Sequence, residues 1–147
     1  MSVYHAIVGR RLREAYRRVG AGDYDAVISI CTPDVHVRVP GDGPLSGTFD
    51  SVEEYERWFE RVFTLAERLD FEIVELLVKG PPWNTRIGVE WIDTVTARDG
   101  ATYVNEGAHF IHMRWGRITA LDYRWNTELV TASLEHAAAE GNAVIDA

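Results

Sequence analysis

The sequence predicts an α+β fold: a strongly curved, mostly antiparallel sheet wrapped against one long helix and its companions. Three observations carry this. Two helical stretches, one alternating strand and an aromatic-rich helix precede four strands in succession. From 83 onward the odd positions carry Trp83, Thr85, Ile87, Val89, Trp91, Asp93 and Val95, and the even ones Asn84, Arg86, Gly88, Glu90, Ile92, Thr94 and Thr96. Alternation buries the odd face, on which Asp93 is the one carboxylate. Two turns, Ala97-Arg98-Asp99-Gly100 and Met113-Arg114-Trp115-Gly116, each place glycine fourth and link residues 83 to 127 into a meander.

Each element has its own local cause. Across residues 3–19, Ile7, Val8, Leu12, Ala15, Tyr16 and Val19 form one helical stripe. Arg10, Arg11, Arg13, Arg17 and Arg18 fall mostly outside it and read as a solvated face. Tyr16 lies on the stripe, so its hydroxyl needs a partner or lines a cavity. Gly20-Ala21-Gly22 stops this helix, and Asp23 caps a short one over Tyr24 to Cys31, in which the cysteine packs. Thr32-Pro33-Asp34 reads as a turn. Val35, Val37 and Val39 alternate with His36 and Arg38 as a half-buried strand, which leaves His36 at the surface. Residues 40–44 are a loop rich in Pro and Gly. Asp50 or Ser51, followed by Glu53 and Glu54, opens a helix near Val52. Its stripe of Val52, Tyr55, Trp58, Phe59, Val62, Phe63 and Ala66 packs on the sheet, and the same stripe can roof an apolar cavity. Phe71 to Lys79 is a strand with apolar residues on both faces, and Gly80-Pro81-Pro82 separates it from the meander. Glu128 to Glu140 reads as a terminal helix, with a fraying tail after Ala137.

The turns set the register. A type I turn closed by a left-handed glycine makes Ala97 face Ala101 and Met113 face Arg117. Asp93 then neighbours Asn105 and, beyond it, Trp125. Trp91 neighbours Gly107 and then Tyr123, and Val89 neighbours His109 and then Leu121. On the other face Glu106 meets Arg124. A two-residue Asp99-Gly100 turn is the alternative; it would move the first hairpin by one and turn His109 away.

The bulk numbers bound the partners. A chain of 147 residues is expected to form a single domain over 1–147, burying roughly 70% of its unfolded surface. A net charge of −8 argues against nucleic acid. One cysteine excludes an internal disulfide and fits a reducing compartment. No apolar run of about 18 residues exists, and no long apolar core follows the first basic residues. No membrane association and a cytoplasmic location are expected. Val104, Ala108 and Phe110 put apolar groups on the outer sheet face, which predicts a homodimer through the sheet. No metal set, phosphate loop, Cys–His pair or activated serine motif is visible, and His109 and His112 fall on opposite faces, so no cofactor is expected.

Local text carries a resemblance. Ala21-Gly22-Asp23-Tyr24-Asp25-Ala26, then Thr32-Pro33-Asp34, and Gly116-Arg117-Ile118 before a last strand with Trp125, resemble the nuclear-transport-factor-two-like superfamily over about residues 4 to 130. This is the cone fold of ketosteroid isomerase, limonene epoxide hydrolase and the SnoaL-like polyketide cyclases. The resemblance implies the cone-shaped sheet; the fold hosts many chemistries and does not imply one reaction. The isomerase's general-base Asp falls on Val39, which has no group to take a proton, so that route to steroid isomerisation is not expected. Its helix-one Tyr falls on Ala15 or Tyr16, and its protonated Asp donor on His109 or Ile111. The epoxide hydrolase's Asp-Arg-Asp set falls on Asp93, Trp91 and Tyr123, so one member is kept. The SnoaL-like cyclases use an acid–base group on the last two strands, and His109 with Tyr123 is similar in placement; their last-strand Asp is absent unless a bulge turns Asp122 inward.

The residues themselves name the candidates. His109 suits proton transfer near neutrality, given an ordinary pKa of about 6.5. The competing reading is a buried histidine satisfied by Tyr123 or backbone. Asp93 is a functional carboxylate or a rim residue paired with Asn105; buried, it needs a partner, a raised pKa or water. The two stand four residues apart by strand row, about 13 Å, so a substrate would have to span them. Tyr123 between them is a hydrogen-bond donor, and Gly107 leaves room for a flat ring. Tyr16, Val37, Val39, Trp58, Trp91, Asn105 and Trp125 are the expected ligand-binding walls. The expected activity is cofactor-independent acid–base chemistry (cyclisation, isomerisation or dehydration) on a flat apolar metabolite such as a polyketide or terpenoid. A non-catalytic binding or interaction module and an epoxide hydrolase-like enzyme are the alternatives.

Overall fold

The computed structural model describes residues 2–126. The terminal helix and fraying tail read from the sequence lie outside these residues. A six-stranded, curved and unclosed sheet in the order β2-β1-β6-β5-β4-β3 wraps around the helices. Only the β1–β6 pairing is parallel.

Helix α1 (Val3–Gly20) is capped by Ser2, whose side chain accepts from the His5 amide. It buries Val8, Leu12, Ala15 and Val19. The helix ends against β3: a Cβ on Gly20 would stand 2.3 Å from the Leu69 carbonyl oxygen, so only glycine fits there. Helix α2 (Asp25–Ile28) is shorter than the sequence implied and has no side-chain cap; Asp23 accepts from Arg18 instead. Strand β1 (Cys31–Val39) absorbs the expected turn at Thr32-Pro33-Asp34. Its register against β6 is irregular between Cys31 and His36, which accommodates a proline that has no N–H to donate. Cys31 is buried as expected, but on a strand, and burial pushes its thiol up to about 12.

Strand β2 (Gly47–Phe49) pairs with β1 and was not anticipated; three residues with a glycine are too short to show alternation. Helix α3 (Val52–Leu65) starts at Ser51, which accepts from the Glu54 amide while Glu54 accepts from the Asp50 amide. Tyr55, Trp58, Phe59, Val62 and Leu65 form its buried face. Strand β3 (Ala66–Lys79) follows at once, five residues earlier than expected. Its register slips between Ile73 and Glu75. This bulge at Val74 lets Leu69, Phe71 and Ile73 face inward together with Leu76 and Val78, which is why the strand reads as apolar on both faces.

Strands β4 (Thr85–Ala97), β5 (Thr102–Arg114) and β6 (Arg117–Trp125) are the meander. The first hairpin is as read: the Ala97 amide donates to the Ala101 carbonyl and Gly100 has φ 90°. Asp93 pairs with Asn105, Trp91 with Gly107 and Val89 with His109. The second hairpin differs. Trp115 and Gly116 have φ 51° and 80° and form a two-residue turn closed by Arg114 and Arg117. A second irregularity, between His112 and Met113, inserts Thr119. Two single offsets sum to two, so β6 keeps its faces but slides. Trp125 therefore pairs with Gly107, Tyr123 with His109 and Leu121 with Ile111. The expected Glu106–Arg124 neighbours do not meet; Arg124 pairs with Ala108 and bonds Asp122. Asp122 stays on the outer face, held by Arg38 and Arg124, so it does not turn inward.

Candidate active site

The inner faces of β3 to β6, with α1 and α3, enclose a cavity of about 140 Å³. That compares with the ~150 Å³ of an engineered core cavity that takes benzene. Asp93, His109, Tyr123, Tyr16, Trp58, Trp91, Asn105 and Trp125 all line it. Val37 and Val39 do not: they are buried in the core on β1, beyond the strands that make the wall. Those two assignments are corrected.

His109 is 6% exposed. The Tyr16 hydroxyl meets its Nδ1 at 2.5 Å, and the two rings stack 5.5 Å apart. Burial pushes the imidazole down to about 3, so it is neutral near pH 7 and does not keep its ordinary value. Burial also drives the Tyr16 phenol up, so it keeps its proton. A phenol donates better than it accepts, and neutral imidazole offers a good acceptor nitrogen. On that ground Nδ1 is the acceptor and Nε2 carries the hydrogen. Nε2 has no partner among the described residues.

Tyr123 is committed differently than the sequence implied. Its hydroxyl shares a 2.5 Å hydrogen bond with Tyr55, and its ring lies 4.3 Å from that of His109. Burial raises both phenols. Tyr55 was visible only as a member of the α3 stripe, three residues before Trp58.

Asp93 is also 6% exposed, and its carboxyl is raised to about 7. Burial is the main cause and the negative Asp70 adds to it, while the Asp70 backbone N–H acts in the opposite direction. Asp70 lies in the part of β3 that the sequence did not reveal as strand. Asp93 Oδ1 and Asn105 Oδ1 both lack partners among the described residues, although the two are paired across β4 and β5. The indole nitrogens of Trp91 and Trp125 are likewise buried without partners among the described residues. Trp58 differs, donating to the Leu45 carbonyl at 2.8 Å. Among the described residues no three His, Cys, Asp or Glu side chains converge as metal ligands would. No described helix is long and apolar enough to cross a membrane.

The sequence pattern of the SnoaL-like domain matches residues 12–121. The chain belongs to the SnoaL-like domain family. No curated protein matches the sequence. Among solved structures, this SnoaL-like chain is similar to an NTF2-like protein of unknown function from Burkholderia pseudomallei. That pair shares 21% identity and a TM-score of 0.73, over 85% of this chain and 95% of the other. It is similar to TerC, co-crystallized with polyporic acid, at 21% identity and TM-score 0.72, over 87% and 98% of the two chains. It is similar also to an LEH-like epoxide hydrolase from M. tuberculosis at 12% identity and TM-score 0.70, over 92% and 95%. These likenesses establish the cone fold anticipated from the sequence.

Within that fold the cavity holds a neutral imidazole and a carboxyl poised near neutrality, in otherwise apolar and aromatic walls. A carboxyl with a pKa near 7 both takes and returns protons at working pH. A neutral imidazole with its hydrogen on Nε2 donates to an oxygen that gains charge, without itself becoming an acid.

Proposed function

We propose that this SnoaL-like domain is a cofactor-independent enzyme that moves a proton on a flat, apolar, conjugated metabolite of polyketide or terpenoid type. Asp93 is the base and His109 the neutral hydrogen-bond donor, the reverse of the roles implied by unperturbed pKa values. Asp93 takes a proton from a carbon beside a carbonyl. The electron pair moves onto the carbonyl oxygen, and the protonated carboxyl returns its proton to another carbon or to oxygen. Isomerisation, cyclisation and dehydration all share this first step. The observation that supports it best is the Asp93 carboxyl held at about 7 in the same hollow as an imidazole held at about 3. Opposed shifts of two titratable groups in one apolar cavity mark acid–base sites.

The test is hydrogen–deuterium exchange at the α-carbons of 2-tetralone in D₂O, followed by NMR. The domain is expected to accelerate exchange by about 10²-fold or more, and Asp93→Asn to abolish the acceleration. Exchange at the buffer rate would leave a binding module as the function of this cavity.

The outer face of the sheet fits a second copy of the chain. Val74, Leu77, Val104 and Phe110 are each more than half exposed there. Glu75 and Glu90 on β3 and β4 share that face with Arg124 and Arg38 on β6 and β1. A twofold axis through the sheet would cover this apolar patch with its own copy.

A further inference from the structure

We infer that the indoles of Trp91 and Trp125 form a paired N–H donor site for a carbonyl oxygen, which makes a keto group on the flat ring the feature this cavity selects. The inference rests on the acid–base reading above and deepens it.

The buried polar atoms without partners sort by element along the cavity. Asp93 Oδ1 and Asn105 Oδ1 occupy one cross-strand row. The next inward-facing row is Trp91, Gly107 and Trp125, with both indole nitrogens unpartnered among the described residues. His109 Nε2 follows in the row after that. One end therefore offers oxygens and the other nitrogens. An indole N–H is only ever a donor, so these rows ask for an acceptor on the ligand. Buried donors without partners are rare and costly, and two on one row are not accounted for by packing. The chain does satisfy its third cavity indole, that of Trp58, with a backbone carbonyl.

Gly107 makes the pairing possible. A Cβ there would stand 3.0 Å from the Trp91 ring, 3.0 Å from Trp125 Cα and 2.3 Å from the Arg124 carbonyl oxygen. The missing side chain lets the Trp91 ring lie over β5 and lets β6 come close at Trp125, the next residue on the same cross-strand row. Spacing completes the argument: Trp91 is two residues from Asp93 on β4, about 7 Å along the strand, whereas His109 stands about 13 Å away by row. A carbonyl oxygen and its α-carbon are neighbouring groups, so the indoles are placed to hold the oxygen beside the carbon on which Asp93 works, and His109, one row further, to donate to a second oxygen conjugated with it along the ligand.

The experiment compares 2-tetralone with tetralin, the same ring system without the oxygen, by isothermal titration, and records the carbonyl stretch of the bound ketone by infrared difference spectroscopy. The wild-type domain is expected to prefer the ketone by about tenfold and to lower its carbonyl frequency. Trp91→Phe and Trp125→Phe keep an aromatic wall and remove one donor each. Each is expected to lose most of the ketone preference, read as the ratio of ketone to tetralin affinity in the same variant, and part of the frequency shift. Equal affinity of the wild type for the two probes overturns the inference, as does a preference that survives in both variants. If one variant does not fold, the other decides. The acid–base reading fails separately: it falls if Asp93→Asn leaves exchange unaltered, even where the ketone preference holds.

Discussion

Tyr16 on α1 and His109 on β5 are joined by a 2.5 Å hydrogen bond between the phenol oxygen and Nδ1, across 93 residues of sequence. The bond links the first helix to the cavity wall and, through the tautomer it selects, decides what His109 can do. With Nδ1 occupied, Nε2 carries the hydrogen. Tyr16→Phe removes that selection. The ¹⁵N spectrum of His109 should show protonated Nε2 in the wild type and a tautomer mixture in the variant, with roughly 1 kcal/mol less stability. A wild-type spectrum with bare Nε2 would refute the assignment.

Stability should depend on pH through two opposed groups. Asp93 is raised from 3.8 to about 7, so the folded chain keeps a proton that the unfolded chain releases. Its contribution falls as pH rises from about 4 to 7, by on the order of 4 kcal/mol at ~1.36 kcal/mol per pH unit. His109 is lowered from 6.5 to about 3, so the unfolded chain protonates first; its contribution is complete above pH 6.5 and is lost as pH falls toward 3. The windows overlap, so these two contributions nearly cancel between about pH 4 and 6.5. Denaturant titrations should show Asp93→Asn gaining on the wild type as pH rises to 8, and His109→Gln gaining on it as pH falls below 6.

Gly107→Ala should be among the most damaging single-methyl additions in the protein. The new carbon would stand 2.3 Å from a backbone oxygen, which cannot swing aside as a side-chain tip can. A loss of about 2 kcal/mol or more in urea titrations is expected, with weaker ligand binding. A neutral effect would mean that β5 and β6 are looser at this row than described.

Phe110→Glu tests the outer face. Phe110 is 55% exposed and lies over Gly88 between β4 and β6. Light scattering coupled to size exclusion should report a dimer for the wild type and a monomer for the variant. A monomeric wild type would remove the interface proposal.

Much of this was legible beforehand because alternation and turn chemistry are local. The odd face of β4 follows from residue order alone, which also narrows the first hairpin to two turns and the start of α3 to Asp50 or Ser51. The second hairpin was misread because Trp115 adopts a left-handed conformation that its side chain disfavours, and because nothing in the text marks Thr119 as an inserted residue. Asp93 could be singled out, since a carboxylate interrupts an apolar row. The fate of His109 could not: its pKa and its tautomer depend on a helix 93 residues away. Tyr55 looked like one more core aromatic, because only three-dimensional contact reveals that its hydroxyl meets that of Tyr123.

The two irregularities of the last hairpin act together as a parity check. Deleting Thr119 alone would restore an odd offset and turn β6 over, putting Asp122 and Arg124 among the tryptophans and leaving Tyr123 and Trp125 in water. Removing one residue from the Trp115-Gly116 turn as well would bring the count back to even. Length changes in this hairpin are therefore tolerable only in matched pairs, and homologous chains with a longer or shorter tip should carry a compensating gain or loss within a few residues.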